Sequence, residues 1–176
     1  NLGIKFSFFN HKQTLESIGN IKRRLQSNPY DQMMQNTIGD NNWQNLLANL
    51  SFQHHFNDAN SLTVDFDRII YDAKNPLNYE INNFDENGDI NNTRQIRSGK
   101  DTEIQISTIA ADYQGEINEF VSYDLGLKGT FSDLENAASV DSISNEVWIQ
   151  DMQLTSDADM KENIFASYAS LQIKAS

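Results

Sequence analysis

Between Trp43 and Tyr71 the chain runs through two stretches of alternating apolar and polar residues separated by a short polar break. Leu46, Ala48, Leu50, Phe52 and Phe56 share one parity, and Asn45, Asn49, Ser51, Gln53 and His55 share the other, with Leu47 the exception. Beyond the break, Leu62, Val64, Phe66 and Ile70 share a parity interrupted by Arg68, against Thr63, Asp65, Asp67 and Tyr71. Successive side chains of a strand point to opposite faces, so a period of two on both sides of a turn predicts a β-hairpin. The break, Asn57-Asp58-Ala59-Asn60-Ser61, has turn chemistry: Asn and Asp bond nearby backbone, and Asn tolerates left-handed dihedrals. One face of this hairpin is apolar, and the other is too polar to be a second protein core.

The same test extends along the chain. Leu2, Ile4, Phe6 and Phe8 alternate with Gly3, Lys5 and Ser7, which predicts a first strand of about ten residues. Thr14 to Gln26 has Leu15, Ile18, Ile21 and Leu25 near helical spacing behind a possible Thr14 cap, against a Gly19-Asn20 breaker, so a short helix and a loop are both open there. Strand character resumes through Asn78, Tyr79, Glu80, Ile81 and Phe84, and Asn87-Gly88 is a strong hairpin signal. In Thr102 to Tyr113 the apolar parity changes near Thr108, from Ile104 and Ile106 to Ile109, Ala111 and Tyr113; a β-bulge or an exit from the buried zone would each produce this. Gln114 to Asn118, with Gly115, reads as a second short turn. Tyr123, Leu125, Leu127, Gly129 and Phe131 form the apolar face of a fifth strand, Val147-Trp148-Ile149 is a further strand candidate, and Phe165, Ala169, Leu171 and Ile173 mark a sixth.

The expected fold is therefore all-β: an antiparallel up-and-down meander of about six strands, within a single segment spanning residues 1–176. Long polar loops are expected at 11–42, 75–101 and 133–162, with short turns at the opposite end. That asymmetry is the pattern of an outer-membrane β-barrel section. The net charge of −12 and pI near 4.5 argue against a phosphate-binding surface, so no nucleic-acid partner is expected. No run approaches the ~20 apolar residues of a membrane helix, which leaves membrane strands untouched. The first thirty residues contain no basic region followed by an apolar stretch and a cleavage site, so the chain is expected to be a processed form or a piece of something longer.

The stretches Asn49 to Phe56, Ile70-Tyr71-Asp72 with Asn75 and Tyr79, and Asp85 to Asp89 carry a family resemblance. So do Ala110-Ala111-Asp112-Tyr113, Leu125-Gly126-Leu127-Lys128, Trp148 to Asp151, and Glu162-Asn163-Ile164 with Ala166 and Tyr168. Together they resemble the outer-membrane β-barrels related to TonB-dependent receptors, of the kind common in Bacteroidetes-type bacteria, over roughly residues 43–176. The resemblance implies a barrel fragment whose parent, in the bacterial cell outer membrane, is a non-enzymatic receptor or transporter for an unknown solute. It also implies partners: outer-membrane lipid and the remaining strands and plug of the parent barrel. Leu46, Leu50, Phe52, Leu62, Val64, Phe66, Leu125 and Leu127 would then face lipid, and Asn49, Gln53, Asp65, Asp67 and Lys128 the lumen. An isolated fragment with unpaired edges is expected to self-associate through them. The alternative is a soluble all-β ligand-binding module, a lipocalin-like barrel or an open sheet, in which the same apolar residues face a protein core.

Candidate chemistry is sparse. His54 and His55 are adjacent and would point to opposite faces of a strand, which with His11 makes a poor metal site. Asp85-Glu86-Asn87-Gly88-Asp89 has its glycine in the fourth place and Ile96 where a calcium loop needs its bidentate Glu, so a hairpin turn is the better reading. Asp65 and Asp67 form a carboxylate pair without a partner base, which favours solvated carboxylates over a hydrolase. No catalytic, cofactor-binding or metal residue is assigned, and no cofactor is expected. Trp43, Tyr71, Tyr79, Tyr113, Tyr123 and Trp148 are expected near strand ends, as interfacial aromatics of a membrane barrel or as ordinary packing.

Overall fold

A computed structural model describes residues 1–23 and 31–174. Eight strands form one antiparallel sheet: β1 (Leu2–Arg23), β2 (Asp31–Asn57), β3 (Asn60–Lys74), β4 (Leu77–Phe84), β5 (Ile90–Asn118), β6 (Val121–Ser144), β7 (Val147–Gln150) and β8 (Ser156–Ile173). They make six ribbons. The lower half of β2 pairs with β3 and its upper half with β4, and β5 pairs with the same two from the other side. The register runs through from β3 to β4 without a shift: Asn42 lies opposite Lys74, and Gly39 opposite Leu77. Pro76 is what divides them, since it has no N–H to give the ladder. β7 and β8 likewise both lie along β6, separated by a turn at Asp151 whose N–H donates to the Val140 carbonyl at 2.8 Å. Among the described residues β1 pairs only with β2, and β8 only with β6, which leaves both edges of the described sheet open.

The two short turns lie at one end. Asn57 Oδ1 accepts from the Ala59 N–H at 3.0 Å, and Asn118 Oδ1 accepts from the Phe120 N–H at 2.9 Å, the same Asx device twice. The second turn therefore falls at Glu119-Phe120, not at Gln114 to Asn118 as expected from Gly115. Gly115 is a strand residue directly opposite Tyr123, and its missing side chain leaves room for that ring. At the other end, Asp85 Oδ1 accepts from the N–H groups of Asn87 and Asp89, and Gly88 takes φ +87°, which bears out the Asn87-Gly88 hairpin. Asn145 and Glu146 both have positive φ and close β6 onto β7 with a two-residue turn.

The expected long loops are corrected by this arrangement. Within 11–42, 75–101 and 133–162 the described residues mostly continue the ladders, giving strands of 22, 27, 29 and 24 residues in β1, β2, β5 and β6. The helix alternative for Thr14 to Gln26 is also overturned: residues through Arg23 belong to β1, and 24–26 lie outside the described residues. Polar composition suggested loops, but the backbone is satisfied by pairing on a neighbouring strand whatever the side chains are. The register of β5 passes Thr108 unbroken on both sides, so no bulge causes the parity change there.

Among the described residues nothing covers either face of the sheet. Of these residues only Thr37, Ala73, Asn82 and the glycines Gly39, Gly115, Gly126 and Gly129 are buried, and none of the large side chains is enclosed. Cross-strand contacts take the place of a core. Tyr168 stands opposite Gly126, where a Cβ would overlap its ring, and donates to Asp112 Oδ1 at 2.6 Å. Phe165 stands opposite Gly129, where a Cβ would meet its ring at an ordinary 3.4 Å, and packs edge to face on Phe131 at 5.6 Å.

Candidate functional site on the two faces of the sheet

The register sorts the side chains into two surfaces. One ladder row reads Ile4, Leu50, Phe66, Ile109, Gly129, Phe165, and the next below on the same face reads Leu2, Phe52, Val64, Ala111, Leu127, Ser167. Leu46, Leu62 and Leu125 fall on this face too, so all eight residues expected to act together as an apolar surface do share one. Leu50 and Phe52 are each 44% exposed, and Leu127 is 66% exposed, so no sealed interior encloses them. The opposite face carries Asn49, Gln53, Asp65, Asp67 and Lys128, the whole of the expected polar set.

The apolar belt crosses the ladder obliquely. Phe8, Leu46 and Ile70 continue across the sheet into Gln105, Asp133 and Lys161, so one row is apolar on three ribbons and polar on the other three. The belt on β8 instead runs lower, through Phe165, Leu171 and Ile173. Strands tilted against a level apolar zone produce this descent. On β2 the belt spans positions 46 through 56, about 33 Å along the strand or ~25 Å in height at a tilt near 40°.

Arg68 lies inside the belt, where its guanidinium donates to Ser107 Oγ at 2.6 Å and to Gln105 Oε1. Asp133 and Lys161 pair at 2.9 Å above the belt on their ribbons, and the neighbouring carboxylate holds the ammonium above the ordinary lysine pKa. At the short-turn end His54 meets Phe56 at 4.7 Å, Phe56 meets Tyr113 at 6.1 Å, and Tyr113 meets Tyr123 at 6.0 Å, an aromatic ladder across three ribbons. His54 thus belongs to aromatic packing while His55 points to the other face, and His11 packs on Trp43 at 4.2 Å. Of the six aromatics expected near strand ends, Tyr113 and Tyr123 join the apolar face at that end. Trp43, Tyr71 and Tyr79 lie on the polar one, and Trp148 sits high on the sheet, 4.6 Å beneath Arg97, which also pairs with Asp141 at 2.9 Å.

Above the belt the two faces exchange character. On the belt's own face the row Asp72, Glu103, Glu135, Asp159 is acidic; on the other, the row Asn45, Tyr71, Ile104, Leu134, Met160 is largely apolar. This exchange accounts for the parity change near Thr108. Its signal was present in β5 alone, and only the pairing of six ribbons shows that it is a line drawn across the whole sheet. The Arg68 cluster and the Tyr168–Asp112 bond had no sequence signal, because each joins residues 37 or more positions apart.

A meander with one apolar belt of bilayer height, a polar opposite face and, among the described residues, no covered core has the form of a membrane β-barrel wall. A model of the outer membrane protein beta-barrel family matches residues 54–176, most of the chain, and the chain belongs to that family. Its location is accordingly the bacterial outer membrane. No curated protein matches the chain.

Proposed function

We infer that the chain is a section of the wall of a large receptor or transporter barrel of the TonB-dependent type, non-enzymatic, which takes up or binds a solute in its parent protein. The observation that carries this is the two-faced sheet with open edges. Six ribbons fall below the ~8 strands of a closed single-chain membrane barrel, so further strands belong on both sides. Leu46, Leu50, Phe52, Leu62, Val64, Phe66, Leu125 and Leu127 meet outer-membrane lipid in this reading. Asn49, Gln53, Asp65, Asp67 and Lys128 line the interior, beside the plug and the passing solute. The upper ribbon ends and turns present the recognition surface. A soluble module would need a second layer over the apolar face, and among the described residues there is neither a helix nor a covering strand layer.

The chain has no cysteine, so single-cysteine labelling is clean. With a fluorophore at Leu50→Cys, Phe66→Cys or Leu127→Cys, in vesicles, lipids carrying a nitroxide on the acyl chain quench and aqueous iodide does not. At Asn49→Cys, Asp67→Cys and Lys128→Cys the pattern reverses. Equal quenching of both sets by iodide would refute the assignment.

A further inference from the structure

On the polar face, at the line where the faces exchange character, lies a cavity of about 640 Å³ lined by Lys5, Asn49, Asp67 and Lys128 below and by Leu47 and Ile69 above. Its size is in the range of small-solute sites. Asp67 accepts from Asn49 Nδ2 at 2.7 Å, which orients the carboxylate and leaves lone pairs for a further donor. Lys5 and Lys128 form no ion pair: the salt bridges among the described residues are Arg97–Asp141 and Lys161–Asp133. The three charges thus alternate in sign across the sheet, cation on β1, anion on β3, cation on β6. Lys5 is two inter-strand spacings from Asp67 in the same ladder row, ~10 Å between backbones, and Lys128 is two spacings away and one row lower, in the row of Asp65, ~12 Å, gaps that a long lysine side chain shortens. Leu47 and Ile69 are cross-strand partners, and Ile106 follows Ile69 in the same row, so the upper wall is aliphatic.

We propose that this cavity binds a zwitterionic solute with an apolar body, of the class of a short peptide with free termini and aliphatic side chains. The ammonium takes Asp67, the carboxylate takes Lys5 or Lys128, and the side chains lie on Leu47 and Ile69. An extended dipeptide separates its termini by ~7 Å, which matches the shortened gap between the opposite charges. A simple anion is a poorer fit because each lysine shares its ladder row with a carboxylate, Lys5 with Asp67 and Lys128 with Asp65. The proposal rests on the polar face being the interior of the barrel.

The test is calorimetric titration of the chain in lipid nanodiscs with leucyl-leucine, its N-acetyl form and its C-terminal amide. The free dipeptide is expected to saturate one site, and either cap to weaken binding tenfold or more. Asp67→Asn should abolish discrimination against the acetylated form, and Lys5→Ala with Lys128→Ala discrimination against the amide, while Lys5→Arg retains it. Capped peptides binding as tightly as the free one would overturn the proposal. So would absence of saturable binding in a preparation whose cysteine probes report a wet polar face. If those probes instead report lipid on that face, the barrel orientation itself has failed and the site falls with it.

Discussion

Leu50→Arg tests the membrane assignment most directly, because the proposed lipid-facing belt puts this residue at a depth that sets the size of the effect. Leu50 lies four positions below Leu46, the upper limit of the belt on β2, and six above Phe56. At ~3.3 Å per residue and a tilt near 40°, it sits ~10 Å below the upper boundary, close to the middle of a ~25 Å zone. An arginine on the lipid face costs about 2–4 kcal/mol at the midplane and about 0–1 kcal/mol near the interface. Leu50→Arg should therefore shift the folding equilibrium in vesicles roughly 30- to 1000-fold, and Leu46→Arg less than about sixfold. Asn49→Arg, next in sequence but on the other face, exchanges the Asn49–Asp67 hydrogen bond for an arginine donor beside the same carboxylate and should cost under about 1 kcal/mol. Urea titration in phospholipid vesicles, followed by Trp43 and Trp148 fluorescence, measures all three. Equal costs at Leu46 and Leu50, or a cost at Asn49 matching that at Leu50, would refute the reasoning, since neither follows from a face whose penalty depends on bilayer depth.

Three further substitutions probe the contacts that replace a core, in the same urea titration. Gly126→Ala drives a methyl into the Tyr168 ring and breaks its bond to Asp112, costing about 1–3 kcal/mol; Gly3→Ala, whose Cβ would meet Ser51 Cβ at an ordinary 3.7 Å, should be within about 0.5 kcal/mol of the parent. Arg68→Ala removes the donor shared by Ser107 and Gln105, at a cost of about 1–2 kcal/mol. Arg68→Lys should recover only part of it, because an ammonium lacks the planar fork that serves both acceptors. Gly88→Ala forces a side chain into φ +87° and should cost about 1 kcal/mol, with Gly88→Asn milder.

What the amino-acid order determined by itself was which residues share a face. Parity is a local property of a strand, so Leu46 to Phe56, Leu62 to Ile70 and Tyr123 to Phe131 could be sorted without knowing any neighbour, and the register kept every residue of both sets together. The Asn87-Gly88 turn was local in the same sense. How far each strand runs was decided by pairing: Thr14, Asp40, Lys100 and Asn136 look like loop residues until a partner strand takes up their backbone N–H and C=O groups. The second short turn moved to Glu119-Phe120 because Gly115 answers to Tyr123 across the ladder. The exchange of polarity above the belt, and the cavity shared by Lys5, Asp67 and Lys128, exist only in the assembled sheet, since they bring together strands far apart in sequence.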